Sequence, residues 1–600
     1  MQGLKVGLEI HQQLAGKKLF CDCPAEILDE KPDFEIMRRL RPVIGESGLV
    51  DIAASRELAK GKCFHYHYHD SVNCLIDIDE EPPHGINQDA LETVLMVAKM
   101  LNARVVDEIQ VMRKIVVDGS NVTGFQRTAL VATNGYIETS EGKIKIPSIC
   151  LEEDAAKIVE RQADKDIYDL SRLGIPLIEI ATDPDIKSPA GAKEAAEKIG
   201  MILRSTKRVK RGLGTIRQDV NVSIKSGRRI EVKGAQDLKL VPLLVEYEIK
   251  RQEALVKLRD ELKFDTVEDK QIDVTDVFAK TEAKLVKGTL DKKGVVYGLR
   301  LEGFKGYLGK ETQPGKRVGT ELSGYAKAAA GVGGLFHSDE LPKYGISEEE
   351  VALIKEKLGC GDNDAFVIIA DEKGKVVRAL SAVVERANRI KEGVIMEVRN
   401  ALPDATTAYL RPIPGAARMY PETDVPPVKP SLEDIEIPEL ITEKQERIKE
   451  YGLSGDLATL LSKSGRVSVF EGFIKKFSGL KPAFIAETML PKMREIKRKH
   501  NVDTDKISDE DLEEVFSKLN SGEVAKEAVE EIIVTIAKSG KVDWSKYKGV
   551  DDSEIESAIK KIVDENKGAP IGALMGKCMA QFRGKVDGKK VNEILKKLVG

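Results

Sequence analysis

In Val6-Gly7-Leu8-Glu9-Ile10-His11, apolar and polar residues alternate. A β-strand sends successive side chains to opposite faces, so Val6, Leu8 and Ile10 share one face while Glu9 and His11 share the other. A carboxylate and an imidazole two residues apart can reach one cation or one phosphate. The same pattern also describes a strand with a solvated polar face. Leu151-Glu152-Glu153-Asp154 sets three acids side by side, and in Ile175-Pro176-Leu177-Ile178-Glu179-Ile180 a single Glu interrupts an apolar strand. Burying an unpaired carboxylate costs several kcal/mol, so Glu179 must face water or meet a cation. Oxygen-rich sites are what Mg²⁺ selects.

The richest polar pattern is Gly214–Lys225 followed by Arg229–Lys233. On the first stretch Thr215, Arg217, Asp219, Asn221 and Ser223 alternate with Ile216, Gln218, Val220, Val222 and Ile224. On the second, Glu231 and Lys233 alternate with Ile230 and Val232. The short Ser226-Gly227 connection predicts a hairpin. One face then carries Arg217, Asp219, Asn221, Ser223, Glu231 and Lys233. Arg and Lys suit phosphate, while Asp, Asn and Glu suit a metal or a hydroxyl; a plain solvated sheet is the alternative. No Gly-Lys pair has a Gly five residues earlier and a Ser or Thr after it, so any ATP binds without a Walker motif.

Cys21-Asp22-Cys23 and Cys63-Phe64-His65-Tyr66-His67-Tyr68-His69, with Cys74 beyond, invite a metal reading, but they do not form a pair of CxxC motifs. Two basic stretches could meet RNA phosphates. Lys492, Arg494, Lys497, Arg498 and Lys499 stand against one acid, Glu495; residues 577–597, with Lys577, Arg583, Lys585 and Lys589, hold seven Lys or Arg against two acids. A solvated helix face is the usual alternative for such runs.

The elements that must position these residues fall into distinct textures. The first 265 residues read as mixed α/β, with helices near 87–103, 189–205 and 237–264; Ser188-Pro189 supplies an N-cap and first-turn pair for the second. Residues 266–395 turn to Gly-rich hairpins followed by helices, and Ser347-Glu348-Glu349-Glu350 looks like a capping box. After a Pro-rich extended stretch at 410–441 the chain reads as helical, with a break near 500–510. Six hundred residues exceed one core and suggest about four domains. A composition of 42% hydrophobic and 32% charged residues is that of a soluble globular protein. The net charge of -4 neither supports nor excludes RNA. No apolar run approaches the roughly 20 residues of a membrane span, no signal peptide is evident, and seven cysteines without secretion signals point to the cytoplasm.

Taken in order and spacing, Val6–His11, Arg113-Lys114, Leu151–Lys157, Asp169–Ile180, Gly214–Ile224 and Tyr420-Pro421-Glu422-Thr423-Asp424 resemble the GatB/GatE family. The segment around Gly331-Val332-Gly333-Gly334-Leu335-Phe336-His337 resembles the insertion domain of bacterial-type aspartyl-tRNA synthetases, which marks the archaeal branch. Gly572–Lys577 and Val586–Lys589 look like the YqeY-type tail of the family.

The resemblance implies an α+β multidomain protein. Its mixed α/β cradle core, a kinase and transamidase, spans 1–265 and 396–430. An aspartyl-tRNA-synthetase-like α+β domain is inserted at 266–395, and the all-α C-terminal half comprises a helical domain (431–505) and a YqeY-like tail (506–600). It implies ATP-dependent phosphorylation and amidation of a glutamyl group on a misacylated glutamine tRNA. Mg²⁺ would lie near His11, Glu153 and Glu179, with Glu9 close by. Arg217 and Lys233 would stabilise phosphate charge; Asp219, Asn221, Ser223, Glu231 and Arg172 would orient ATP or the tRNA end, and Lys114 would touch phosphate. Ammonia would come from an asparaginase-type amidase partner, GatD, in a heterodimer or a dimer of heterodimers. Zinc-bearing relatives carry CxC followed by CxxC; this chain keeps Cys21 and Cys23 without the CxxC, which weakens the zinc expectation. A synthetase and a non-catalytic tRNA-binding scaffold are the rival readings.

Overall fold

The structure is a computed structural model; it describes residues 3–41, 43–44, 48–50, 55, 58, 61–162, 164–413, 419–420, 423–433, 435–547, 552–566, 568–581 and 588–599. The chain divides into two compact units, Met1–Pro438 and Glu439–Gly600. The first is mixed α/β and the second is helical.

The first unit is organised on an eleven-stranded sheet. Its central strand, Lys5–Gln13, pairs antiparallel with Pro176–Ala181 on one side and Ile216–Ser223 on the other. Beyond the first of these come Gly142–Glu153, Phe125–Thr139 and Val111–Ile115. Beyond the second come Ile230–Lys233, then Glu397–Ala401 in parallel, then Thr407–Pro412. The expected hairpin at Ser226-Gly227 is present, closed by Gly227 N–H donating to the Ile224 carbonyl at 3.0 Å.

Alternation decides which face of the sheet is dry. Val6, Leu8, Ile10, Ile178, Ile180, Val220 and Val222 are wholly buried. Helix Pro189–Ser205 packs on the central strand, and Val241–Glu261 on Ile216–Ser223. The first helix starts where Ser188 accepts a hydrogen bond from Gly191 N–H, behind a first-turn proline. It buries Ala192, Ala195, Ile199 and Leu203. Each fully buried branched side chain stabilises the fold by about 1.5–3 kcal/mol, so this apolar face holds the opposite, polar face rigid.

Three smaller sheets complete the first unit among the described residues, one of them the two-stranded pair Glu311–Gln313 and Lys316–Arg317. Another orders Phe34–Arg38, Cys63–Tyr68, Lys165–Asp169 and Lys157–Arg161. The third, within 266–395, orders Gln271–Asp273, Val295–Leu301, Ala365–Asp371 and Phe336–His337, around its own core of Val274, Phe278, Val296, Ile354, Phe366 and Ile368. Helix Glu348–Leu358 begins with the expected capping box of Ser347 and Glu350.

In the second unit, helices from Ile441 to Ser539 bury one core that includes Leu461, Phe470, Phe473, Val515, Phe516 and Ile533. Residues 552–599 bury another, including Ile555, Ile559, Cys578, Val591 and Leu595. The break expected near 500–510 falls at Asn501, whose φ of 50° ends helix Met493–His500. Among the described residues no helix is long and apolar enough to cross a membrane.

Candidate functional site

Because directly opposed residues of an antiparallel pair share a face, register gathers the polar side chains of six strands. His11 stands opposite Glu179 on one neighbour and Arg217 on the other; Glu9 stands opposite Asp219. Glu179 is opposite Cys150, so Glu152, two residues on, lies on the same face, opposite Thr128. His11 Nε2 is 3.5 Å from Glu179 and 3.9 Å from Glu152. Lys114 Nζ is 3.3 Å from Glu152 and 3.8 Å from Glu179. Ligand atoms of His11, Glu152 and Glu179 all lie within 4.8 Å of one another.

The register turns the expected Glu153 the other way. Glu153 follows Leu151 onto the buried face, where its carboxylate accepts the Arg127 backbone N–H at 2.9 Å and faces the guanidinium at 3.5 Å. The structure therefore puts Glu152, not Glu153, beside His11 and Glu179. The signal was in the sequence: Ile149 and Leu151 are the apolar positions, and Glu153 continues their phase.

The charges on this face are unequally matched. Burial pushes the Glu152 carboxyl up, and Lys114 and His11 only partly oppose it. Burial also works against Glu179, but hydrogen bonding to His11 and the Lys114 charge outweigh it and hold Glu179 at about 2. His11 in turn is raised: burial opposes its charge, yet the bond to Glu179 and the charges of Glu179, Glu152 and Asp219 prevail. Two acids thus share one imidazole and one ammonium.

A second acidic group adjoins it. Glu9, Asp219 and Glu231 have carboxylate oxygens within 4.8 Å of one another. Lys233 binds Asp219 at 2.6 Å and Glu231 at 2.7 Å, and Asn221 donates to Glu9 at 3.0 Å. Burial, with Glu231 and Glu179 nearby, raises Glu9. Arg217 is drawn to Asp154 at 2.7 Å, and Gln13 donates to the other oxygen of Asp154 at 2.6 Å. Arg172 donates to the Ala155 and Ala156 carbonyls at 2.7 and 2.6 Å, so it braces this turn. Ser223 pairs with Lys5 in register at the far end of the hairpin strand. Both expected phosphate cations, Arg217 and Lys233, are salt-bridged yet about one-third exposed.

His11, Glu152 and Glu179 are a donor set for a divalent cation, and the two carboxylates fit Mg²⁺. Two carboxylates leave positions for water or phosphate oxygens, which is how that ion is usually held, while the imidazole is a donor that softer divalent metals prefer.

Elsewhere in the unit, Sγ atoms of Cys21, Cys23 and Cys74 and an Asp77 oxygen lie within 4.8 Å of one another. A hydrogen bond from Cys21 favours the Cys74 thiolate, which is lowered to about 6. Cys74, brought in by the return of the chain after Cys63–Tyr68, was not tied to Cys21 by any sequence spacing. His65 and His67 instead bracket Glu35, at 2.5 and 3.7 Å. Tyr420 pairs with Arg113, whose guanidinium lies 5.1 Å from the ring centre; Pro421 and Glu422 fall outside the described residues.

In the helical unit, Lys497 pairs with Asp503 and Asp505, and Lys499 binds Glu530 at 2.8 Å. Among the described residues Lys492, Arg494 and Arg498 have no acidic partner, and Arg494, Arg498 and Lys499 line an open groove. Lys577 is exposed and donates to Asn566 at 2.5 Å. Arg583 and Lys585, and the side chain of Lys589, lie outside the described residues.

A sheet whose polar face groups acids, an imidazole and cations is followed along the chain by a helical unit, and two known domains match these parts in the same order. The GatB/GatE catalytic domain matches residues 4–436 and the GatB domain matches 468–599; the chain belongs to the GatB/GatE family. Within it, the chain is similar to the E-type glutamyl-tRNA(Gln) amidotransferase subunit of Methanocaldococcus jannaschii, 52% identical over 99% of this chain and 98% of that protein. The corresponding protein of Methanococcus maripaludis is 50% identical over 99% and 98%, and that of Thermococcus gammatolerans 46% over 100% and 98%.

Proposed function

We propose that this chain is the component of a tRNA-dependent amidotransferase that phosphorylates the glutamyl carboxylate of misacylated glutamine tRNA with ATP and then forms the amide. The observation that carries it is the cluster of His11, Glu152, Glu179 and Lys114 on one strand face.

A carboxylate resists attack by ammonia because its charge repels the nucleophile and oxide is a poor leaving group. Moving the γ-phosphoryl group to the carboxylate oxygen, with release of ADP, makes an acyl phosphate. Ammonia then displaces inorganic phosphate and loses a proton, giving the amide. Phosphoryl transfer asks mainly for positioning and positive charge, so no covalent nucleophile is required. Mg²⁺ held by His11, Glu152 and Glu179 would neutralise charge on the transferred group. Lys114 adds a second positive charge at the same place. Arg217 and Lys233, each about one-third exposed, exchange their carboxylate partners for phosphate oxygens. Asp219, Glu231 and Asn221 then become free to hold hydroxyls of ATP or of the tRNA end.

On this reading the sheet is the cradle core, 266–395 is the aspartyl-tRNA-synthetase-like insertion, and Lys492, Arg494 and Arg498 meet tRNA phosphates. An asparaginase-type amidase partner, GatD, supplies ammonia. Cys21, Cys23 and Cys74, with Asp77, which Lys18 also holds at 2.9 Å, group four donors that would suit zinc. They would do so only once the Cys21 thiol, raised by its bond to Cys74 and by burial, and the Cys23 thiol, raised by burial and its neighbours, lose their protons.

The test is ATP hydrolysis by the chain with glutamyl-charged against uncharged glutamine tRNA, with ammonium salt as nitrogen donor. Hydrolysis and amide formation that depend on the charged tRNA support the reading. Equal hydrolysis with both tRNAs, or no amide at any ammonium concentration, overturns it.

A further inference from the structure

The loop between helix Pro189–Ser205 and strand Ile216–Ser223 takes no part in the chemistry above, yet it leads directly into Arg217, the second residue of that strand. Residues 207–217 read Lys-Arg-Val-Lys-Arg-Gly-Leu-Gly-Thr-Ile-Arg, five cations and no acid. The chain as a whole is acidic, so this run departs from its surroundings.

The loop is fastened to the end of the central strand. Lys210 N–H donates to the Gln13 carbonyl, Gln13 N–H to the Thr215 carbonyl, and Ala15 N–H to the Arg208 carbonyl, all within 2.9 Å. The buried Gln12 amide donates to both ends of the turn, at the Lys210 carbonyl (3.1 Å) and the Thr215 carbonyl (3.0 Å). Its tip is therefore held about two to four residues beyond His11, roughly 7–13 Å along the strand.

What the loop presents is unusual in two ways. Arg208 is occupied by Glu92 and Lys210 by the Ala25 carbonyl, but among the described residues nothing pairs with Lys207 or Arg211, and both are exposed. Leu213 is fully exposed, at 104%. It stands between Gly212 and Gly214, whose φ angles of 121° and 81° only glycine adopts without strain. An apolar side chain held out at a glycine turn gains nothing for the fold.

We propose that this loop is a binding surface for the unpaired 3′ end of the charged tRNA. Lys207 and Arg211 take its phosphates and Leu213 makes apolar contact with an unstacked base. The inference rests on the proposed function and adds to it the place where the aminoacyl end is steered onto the strand face.

The experiment compares the full chain with K207E/R211E, K207R/R211K and L213S, measuring KM for glutamyl-charged glutamine tRNA and the salt dependence of tRNA binding. The charge reversal is expected to raise KM at least tenfold while kcat at saturating tRNA stays within twofold. It should also flatten the log–log salt slope by about 1.4, the contribution of two single-strand phosphates. K207R/R211K should keep wild-type values, and L213S should raise KM severalfold without changing the slope. An active wild type whose reversal variant keeps its KM and slope overturns this inference alone; an inactive wild type overturns the proposed function. Loss of association with the amidase partner at unchanged tRNA affinity would make the loop a protein contact and overturn the inference.

Discussion

One sheet carries two charge clusters that are built in opposite ways. At its 397–412 end, Arg251 and Arg399 meet Glu321, Glu397 and Glu248 in a buried network. Arg251 binds Glu321 and Glu397 at 2.9 and 2.7 Å, Arg399 binds Glu321 at 3.0 Å, and Tyr325 donates to Glu397. Burial works against Glu321, but Arg251 and Arg399 hold its carboxyl far below the ordinary range. At the centre, two acids share His11 and Lys114 beside a second acidic trio. The first cluster is buried throughout and joins helix Val318–Ala330 to the strand beside Ile230–Lys233. The second retains partial exposure at His11, Glu179 and Lys114 and leaves Glu152 short of positive charge. Closure from water suits a structural tie; partial exposure beside five acids is what a site for a metal–phosphate complex needs.

Breaking the two clusters should therefore have different consequences. Glu179→Gln removes one of three proposed ion ligands, and should lower tRNA-dependent ATP turnover by roughly 100- to 1,000-fold, the scale of losing a key electrostatic contact to the transition state. Its melting temperature should fall by less than that of Glu321→Gln, because Glu179 is about one-fifth exposed and Glu152 keeps His11 and Lys114 as partners. Glu321→Gln removes a buried partner of two arginines and should cost about 3–5 kcal/mol, read by urea denaturation. Activity per folded molecule should survive it far better. Leu8→Ala, on the dry face behind the site, should cost about 2–5 kcal/mol through the cavity it leaves.

The smallest effect separates the clusters by pH. Glu179 sits at about 2, below its ordinary 4.5, so its contribution to stability is present above 4.5 and fades as pH falls toward 2. His11 is raised above 6.5, so its contribution is present below 6.5 and fades as pH rises through its raised value. In metal-free protein, the melting-temperature difference between wild type and His11→Ala should therefore be largest between pH 4.5 and 6.5 and shrink on both sides. A difference independent of pH would mean that the imidazole is not paired as described.

The comparison also explains what could be read from sequence. The polar face of the Gly214–Lys233 hairpin was legible because strict alternation against a buried face leaves one register. Glu9, His11 and Glu179 followed from the same rule. Glu152 was missed because three adjacent acids read as one group, although Ile149 and Leu151 already fixed their phase. Cys74 joins Cys21 and Cys23 through a long return of the chain, so CxxC spacing carried no trace of it. The buried network was invisible for the same reason: Arg251 lies 70 residues from Glu321 and 146 from Glu397, and a lone Arg in a helix reads as solvated.

The most direct test of the central claim compares Glu152→Gln with its neighbour Glu153→Gln, by Mg²⁺ titration of ATP turnover with glutamyl-charged tRNA. Glu152→Gln should need at least tenfold more Mg²⁺ for half-maximal turnover and lose most of its maximum rate. Glu153→Gln should keep the wild-type Mg²⁺ midpoint and lose only stability, since it pairs with Arg127 on the other face. The reverse pattern, with Glu153→Gln shifting the midpoint and Glu152→Gln leaving it in place, would contradict the account.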